Sequence, residues 1–293
     1  MPLKSVLITG CSPHGIGAAL ATEFHLRGHR VFATGLSETD LEPLRALGTE
    51  TLVLDVTSAS SIAAAMAHVQ KATGGTLDML VNNAGVMHIM PFADTDVADA
   101  RRVFEVNVLG VFAVTRAFVP LLVTAAAAAR GGNGGGGGGA SDAIVANLGS
   151  VNAVLRPPFL GAYNASKAAV ECLGASIRTE LAPLGVRVVT VKTGSVRTGL
   201  FDNAPPTRLP DDSMYGPARE FIEGRKMLKS ARFMDVEVYA RNVVDELLRP
   251  AVRHVVWKGG LSTVAWILSC VGWEGMMDST LIKGNLLDRI RRW

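Results

Sequence analysis

Cysteine, aromatic residues and net charge are all scarce in this chain. Only 3 cysteines (Cys11, Cys172 and Cys270) occur in 293 residues. Their small, odd number and wide spacing exclude a disulfide-stapled fold and are typical of a reducing compartment. A formal net charge of +3 without a long basic run excludes a nucleic-acid-binding surface. No group of histidine, cysteine and acidic residues has metal-ligand spacing, so we expect no metal site.

Recognisable targeting segments are also missing. A strand-like apolar run begins at Ser5, close to the first residue, so we expect no signal peptide. No uninterrupted apolar run reaches the roughly 18 residues of a membrane-spanning helix. We therefore expect a cytoplasmic protein.

Short apolar runs alternate with longer helical patterns along the chain. The strand-like runs lie at Ser5–Thr9, Arg30–Thr34, Thr51–Leu54, Met79–Asn82, Ile144–Leu148, Val186–Lys192 and His254–Lys258. This order predicts an α/β fold, a Rossmann-type doubly wound parallel sheet with helices on both faces. We expect one domain over residues 1–250, followed over 251–293 by the last strand and an apolar C-terminal extension.

Two segments interrupt this alternation. Residues 124–142 are rich in glycine and alanine, and ordering a glycine run costs entropy, so we expect a flexible insertion rather than a phosphate loop. Residues 199–233 contain prolines and acidic residues that break regular structure. Candidate linings of an apolar pocket in this segment are Phe201, Met214, Tyr215 and Phe221. We expect a substrate lid there, with an ordinary surface loop as the alternative.

Three glycines mark the first strand-to-helix turn. Gly10, Gly15 and Gly17 follow the first strand and lead into a helix predicted over Ile16–Leu26. Residues without Cβ let backbone N–H groups approach a pyrophosphate at the N-terminus of a helix. Because the strand and the helix flank the glycines in the required order, the pattern predicts nucleotide binding rather than a mere tight turn.

A second cluster has the chemistry of proton transfer. Tyr163 and Lys167 are four residues apart on a predicted helix, so they share one face. An ammonium group near a phenol favours the phenolate and lowers the tyrosine pKa. Ser150 follows a predicted strand, and ligands of open α/β sheets bind at the carboxyl ends of strands. Together the three residues can move a proton to or from a carbinol oxygen.

These motifs resemble the short-chain dehydrogenase/reductase family over Lys4–Leu248. The segments "TGCSPHGIG", "LDVT", "NNAG", "FEVNVLG", "NLGSV" and "YNASK" occur in the family's order and at similar spacing. The resemblance implies catalytic roles for Asn107, Ser150, Tyr163 and Lys167. It also implies cofactor contacts at Gly10, Ser12, Gly15, Ile16, Gly17, Asp55, Asn83, Ala84, Gly85, Tyr163, Lys167, Val196 and Thr198. Within the family the chain looks most like the fungal NADPH-dependent 1-acyldihydroxyacetone-phosphate reductase-like group.

The chain departs from the family pattern at two positions. Thr193 and Gly194 stand where the family usually has Pro-Gly, and one extra residue lies in the turn at Pro13-His14. The second strand ends "FATGLS" without an acid, whereas an NAD-preferring site carries Asp or Glu there. We expect NADP(H) to be favoured over NAD(H), with the hydroxyls of Thr34 and Ser37 as candidate contacts of the 2′-phosphate.

The resemblance implies an NADP(H)-dependent oxidoreductase that interconverts a ketone and a secondary alcohol. In this reading Tyr163 is the general acid/base, Ser150 orients the oxygen, Lys167 binds the ribose and Asn107 completes a proton path. The substrate is expected to be a small apolar carbonyl compound, a lipid such as acyl-dihydroxyacetone phosphate or a natural-product intermediate. Two alternatives are non-redox chemistry on the same fold (isomerase or cyclase) and a nucleotide-sensing binding protein. His88 is either a substrate contact or an ordinary loop histidine.

The C-terminal extension concentrates the tryptophans. All 4, namely Trp257, Trp266, Trp273 and Trp293, lie near the end of the chain, where Arg289, Arg291 and Arg292 also occur. Tryptophan beside arginine suits a membrane interface. The alternative is a segment that packs over the substrate cleft or against an oligomer partner. We expect a homo-oligomer, and keep open a peripheral contact with a membrane or lipid droplet.

Overall fold

Seven parallel strands form one sheet in the order β3-β2-β1-β4-β5-β6-β7. The computed structural model describes residues 3–131, 143–200, 204–228 and 232–290. The strands are β1 Ser5–Ile8, β2 Arg30–Gly35, β3 Glu50–Val53, β4 Met79–Asn82, β5 Ala143–Ser150, β6 Val186–Thr193 and β7 Val255–Lys258. The predicted doubly wound fold is confirmed, and β7 pairs with β6 inside the same sheet. The strand order reverses between β1 and β4, the switch point at which such sheets bind ligands.

Helices cover both faces of the sheet. They are α1 Ile16–Leu26, α2 Glu38–Ala46, α3 Ala59–Thr73, α4 Val97–Phe104, α5 Gly110–Gly131, α6 Asn152–Leu155, α7 Gly161–Leu181, α8 Arg219–Glu223, α9 Val236–Leu247, α10 Ser262–Val271 and α11 Asp278–Gly284. Alternate side chains of the central strands enter two apolar clusters on opposite faces of the sheet. One cluster contains Phe24 of α1 and Tyr239 of α9, and the other contains Phe118 of α5. This two-sided burial explains why the strands read as continuous apolar runs.

The segment from Val97 to Arg130 is one long helical stretch. A five-residue π-helical segment, Glu105–Leu109, joins α4 to α5. By length and composition alone this stretch is apolar enough to cross a membrane, although Arg116 interrupts its apolar sequence. Val114, Phe118 and Leu122 of its inner face are fully buried against the sheet. Since a core helix passes the same test, we interpret it as a core helix.

The predicted insertion at 124–142 is partly wrong. Residues 124–131 continue α5 to Gly131, because the alanine run that precedes the glycines favours helix. Residues 132–142 lie outside the described part of the chain.

A third apolar cluster joins the lid to the catalytic helix. Tyr163 of α7 packs there with lid residues Leu209 and Ile222, and Leu286 and Leu287 of the C-terminal extension pack against the same cluster. Phe201, Arg291, Arg292 and Trp293 are outside the described residues. The lid and the extension therefore meet beside Tyr163.

Candidate active site

A cleft of about 1340 Å³ opens at the carboxyl ends of the strands. Most of the residues predicted from the sequence line it: Gly10, Ser12, Gly15, Ile16, Asp55, Asn83, Ala84, Gly85, Ser150, Tyr163, Lys167, Val196 and Thr198. Three predicted residues, Gly17, Thr34 and Asn107, are not part of the lining and lie behind it. The cleft runs from the glycine turn, past Tyr163, to the lid and the C-terminal extension.

The glycine turn is held by close backbone packing. Gly10 has φ +70°, and a Cβ there would lie 2.7 Å from Cα of Ala84. A Cβ on Gly17 would lie 2.5 Å from Nδ2 of Asn83 and 2.5 Å from the carbonyl oxygen of Gly10. That Nδ2 donates to the carbonyls of Thr9 and Gly10, at 2.8 Å each. Gly17 is therefore a packing residue, and Asn83 ties the turn to the end of β4.

This turn fits a dinucleotide. The first N–H groups of α1 have no partner within the helix, and the N-terminal end of a helix favours an anion. Gly10, Ser12, Gly15 and Ile16 line the cleft at that end. The extra residue of the turn is accommodated at His14, which adopts a left-handed φ of 58°.

The end of β2 corrects part of the cofactor prediction. Thr34 is fully buried, and its hydroxyl donates to the carbonyl of Ile8 at 3.1 Å, so the predicted contact with a phosphate is wrong. Gly35 and Leu36, which follow it, line the cleft together with Asp40 of α2. Ser37 is the N-cap of α2, where its side chain accepts the N–H of Asp40 at 3.2 Å. Asp40, one helical turn beyond the end of β2, is an acid of the cleft that the strand-end pattern does not indicate.

Ser150, Tyr163 and Lys167 come together at the floor of the cleft. Ser150 ends β5, and Tyr163 and Lys167 are on successive turns of α7. Ser150 lies beside Tyr163, where its hydroxyl acts to lower the pKa of the phenol, and the Ser150 Oγ accepts the N–H of Asn152 at 3.1 Å. Lys167 Nζ lies 5.7 Å from the centre of the Tyr163 ring and donates to the carbonyl of Leu148 at 2.9 Å.

Burial controls the protonation of this group. It raises the pKa of Tyr163 to about 12, although the Ser150 hydrogen bond acts in the opposite direction. Burial also lowers the pKa of Lys167 to about 8. The predicted lowering of the Tyr163 pKa by Lys167 is therefore not seen; removal of the phenol from water dominates, and the opposing effect comes from Ser150. Tyr163 is a protonated phenol at neutral pH, the form that a proton donor needs.

Asn107 lies in the π-helical segment and is buried. Its Oδ1 accepts the N–H of Val86 at 2.8 Å, and its Nδ2 donates to the carbonyl of Val86 and to the Ser166 hydroxyl, both at 3.0 Å. The Ser166 hydroxyl in turn donates to the carbonyl of Tyr163 at 2.7 Å. Asn107 thus links the π-helical segment, the loop after β4 and the catalytic helix, and π-helical distortions of this kind are frequent at functional sites.

Contacts with neighbouring elements fix the Thr193-Gly194 pair. A Cβ on Gly194 would lie 1.9 Å from the carbonyl oxygen of Gly260, so only glycine fits there. Ser195 exchanges two backbone hydrogen bonds with Gly260, of 2.9 and 3.0 Å. The Thr193 hydroxyl is 2.6 Å from that of Tyr239. These contacts position Val196 and Thr198 along the cleft wall.

The structure adds cleft residues that the motifs did not indicate. Arg101 and Arg102 of α4 are exposed at the rim. The lid and the extension contribute Leu200, Ala204, Pro205, Met227, Leu228, Leu261, Met277, Thr280, Leu281, Gly284 and Asn285. The apolar runs of the extension indicate that part of it is buried. They do not specify which side of it faces the cleft. Its residues in the cleft lining agree with the alternative in which the extension packs over the substrate cleft.

The model of the short chain dehydrogenase family matches residues 4–209. A short-chain dehydrogenase of Penicillium crustosum is 40% identical over 92% of this chain and 93% of its own length. The chain belongs to the short-chain dehydrogenase family. The NADPH-dependent 1-acyldihydroxyacetone phosphate reductase of Schizosaccharomyces pombe is 34% identical over 97% of this chain and 90% of that protein.

Solved structures of short-chain dehydrogenases share the fold. One from Streptomyces avermitilis superposes with a TM-score of 0.76 at 26% identity, covering 100% of both chains. Another, from Burkholderia phymatum in complex with NAD, gives a TM-score of 0.71 at 25% identity over 95% of each chain. The family assignment makes the protein an oxidoreductase of the NAD(P)-dependent type.

Proposed function

We propose that this short-chain dehydrogenase reduces an apolar ketone to a secondary alcohol with NADPH, and catalyses the reverse oxidation. The observation that carries the proposal is the Ser150–Tyr163–Lys167 group at a cleft floor that continues into apolar lid and extension residues. A bound nicotinamide cofactor would supply the hydride for the carbonyl carbon. Gly10, Ser12, Gly15 and Ile16 would hold its pyrophosphate, and Asp55 would contact the adenine side.

The chain's own residues supply the proton and the orientation. Tyr163 donates its phenolic proton to the carbonyl oxygen; as a phenol it carries that proton at neutral pH. The Ser150 hydroxyl, which lies beside Tyr163, donates its single proton to the same oxygen and orients it. Lys167 reaches past Gly85, where a Cβ would be 3.7 Å from Nζ, and would bind the ribose. Asn107 holds the loop and helix in register through Val86 and Ser166.

The lining supports an uncharged, apolar substrate. The described lid and extension residues that face the cleft, including Leu200, Met227, Met277 and Leu281, carry no charge. Burying a phosphate there without a cation would be costly. A phosphorylated substrate, like that named for the S. pombe relative, would have to place its phosphate at the rim near Arg101 and Arg102. Among the proposed carbonyl compounds we therefore favour a neutral ketone over a phosphorylated lipid.

For the cofactor, we propose a modest preference for NADP(H). The N-terminus of α2 follows the cleft-lining Gly35 and Leu36, so its partial positive charge would favour a 2′-phosphate bound there, and the Ser37 hydroxyl, which accepts the N–H of Asp40, could donate to it. The half-buried Asp40 opposes the phosphate by repulsion. Since single surface effects of this kind are each about 0.3–1 kcal/mol, the preference is small.

Two surface features support further contacts. Phe104, Leu109 and Phe112 on α4, the π-helical segment and α5 are 36%, 53% and 51% exposed, and we propose that they lie in a homo-oligomer interface. On the outer side of the extension, Trp266 and Trp273 are 50% and 70% exposed. We propose that this outer face makes a peripheral contact with a membrane or lipid droplet from the cytoplasmic side, because tryptophan favours that interface.

The decisive variant is Tyr163→Phe. It removes only the proton donor, so kcat for ketone reduction should fall by about 10²–10⁴-fold while NADPH binding is retained. Turnover and cofactor binding are measured on the same preparation. Retention of more than about a tenth of the wild-type kcat would show that Tyr163 is not the essential acid.

A further inference from the structure

The loop after β4 crosses from the nucleotide end of the cleft to the substrate end. Ala84 contacts the glycine turn, and Gly85 lies beside Lys167 Nζ. Val86 is held by both hydrogen-bonding groups of the Asn107 side chain. Met90 donates its N–H to the carbonyl of Phe159 at 2.8 Å, just before α7. A residue between Val86 and Met90 therefore lies beyond the catalytic lysine, on the substrate side.

His88 occupies that position and lines the cleft. Its neighbours Met87 and Ile89 are buried in the apolar cluster that contains Tyr163. The carbonyl of Ile89 accepts the lid hydroxyl of Thr207 at 2.9 Å. The loop is thus fixed by Asn107, by the lid and by Phe159. This clamping presents the imidazole at a defined place, which is what a binding residue requires.

The imidazole lacks a hydrogen-bond partner within the described residues. Its side chain is only 12% exposed, and Nε2 is shielded from solvent without a partner. The nearest acidic atom, Asp99 Oδ2, lies 4.0 Å from Nε2, beyond hydrogen-bonding distance. A nearby carboxylate accepts but cannot donate, so it favours the tautomer with the proton on Nε2. Nδ1 is then the ring nitrogen that can accept a hydrogen bond.

We propose that His88 is a specificity-determining residue that accepts a hydrogen bond from a hydroxyl group of the substrate, at Nδ1. This inference rests on the proposed ketone reduction and narrows the substrate to a neutral hydroxyketone. The cleft around His88 is otherwise apolar toward the lid. When a ketone without the hydroxyl binds, the His88 imidazole is left without a hydrogen-bond partner, and this lowers kcat/KM for that ketone.

The test compares 1-tetralone with a series of isomers that carry one hydroxyl on the aromatic ring. For the wild type, we expect kcat/KM for at least one isomer to exceed that for 1-tetralone by about tenfold or more, the effect of one hydrogen bond. His88→Phe should bring this ratio close to one, chiefly by lowering kcat/KM for the hydroxylated ketone. The Kd of NADPH should stay unchanged.

Two conservative variants distinguish recognition from mere packing. Asn places its side-chain oxygen near the position of Nδ1, whereas Gln places its polar group near that of Nε2. His88→Asn should therefore recover part of the preference, and His88→Gln should not. His68→Phe makes the same change on the exposed side of α3 and serves as the matched control, with the wild-type ratio expected.

The outcomes separate the two hypotheses. If the wild type reduces these ketones but the ratio is the same in wild type and His88→Phe, the role of His88 is refuted and ketone reduction stands. If the wild type oxidises no NADPH with any ketone of the series, the proposed function fails, and the inference about His88 fails with it.

Discussion

Replacing Lys167 by methionine should separate what the catalytic lysine does for activity from what it costs in stability. The side chain is buried, with Nζ held by the carbonyl of Leu148 at 2.9 Å. Burial lowers its pKa from 10.5 to about 8. Methionine has similar length and no charge, so Lys167→Met removes the charge while keeping most of the volume.

The direction of the Lys167 pKa shift decides how the stability of the protein changes with pH. Because the folded-state pKa lies below the unfolded value, the unfolded chain binds more protons between about pH 8 and 10.5. Below about pH 8, Lys167 is protonated in both states, and the whole cost of burying its charge lowers the free energy of unfolding. A shift from 10.5 to about 8 corresponds to about 3 kcal/mol. This cost disappears as the pH rises through the window.

The lost hydrogen bond to Leu148 offsets about 1 kcal/mol of the gain. We therefore expect Lys167→Met to be about 2 kcal/mol more stable than wild type near pH 7, although it loses activity. Tyr163, Tyr239 and Cys11 have raised pKa values and make both proteins less stable at high pH. These three residues are present in both proteins, so the difference in free energy of unfolding between variant and wild type reports the effect of Lys167.

The assay is urea unfolding of both proteins, without cofactor, at several pH values between about 7 and 10. The variant's advantage should shrink as the pH rises, with a slope of at most about 1.4 kcal/mol per pH unit. Parallel stability curves for the two proteins would refute the assignment of a buried, charge-penalised Lys167.

Three further predictions concern the ends of the cleft. Gly17→Ala should destabilise the protein and weaken cofactor binding, since its Cβ would meet Asn83 and Gly10 at 2.5 Å. Gly216→Ala, whose Cβ would meet nothing within 4 Å, is the control. An unchanged melting temperature and an unchanged cofactor Kd for Gly17→Ala would refute this packing role. NADPH should bind more tightly than NADH by less than about tenfold, and Asp40→Asn should widen the difference; equal or stronger binding of NADH to the wild type would contradict the proposed preference. Leu281→Ser, inside the cleft, should raise KM for an apolar ketone without changing the Kd of NADPH, whereas Trp273→Ser, on the outer face, should weaken binding to anionic vesicles only. Wild-type behaviour of both variants would show that the extension has neither role.

The sequence predicted the fold because the strands of this sheet are buried on both sides. β4 was predicted at Met79–Asn82 with the bounds that the structure has, and helix α1 at Ile16–Leu26 likewise. Gly10 was also predictable from the sequence, because only glycine tolerates its positive φ and its close approach to Ala84. These positions are determined by local chain chemistry.

The predictions that failed concern side-chain orientation and tertiary contacts, which the sequence pattern does not contain. Thr34 is one residue too early on β2, where its hydroxyl turns into the core instead of the cleft. Asp40 reaches the cleft from α2, which spacing along the strand does not reveal. The pKa of Tyr163 depends on how deeply α7 is buried, and a four-residue spacing to Lys167 does not contain that information. The placement of α11 over the cleft is likewise a product of packing.

The most direct test of the central claim follows the hydride. The wild-type enzyme is given a ketone and NADPH that carries deuterium at the transferable C4 position, and the product is analysed by mass spectrometry and NMR. Hydride transfer predicts one deuterium on the carbinol carbon and one NADPH oxidised for each alcohol formed. Product that forms without deuterium incorporation or NADPH oxidation would contradict the account and indicate non-redox chemistry on this fold.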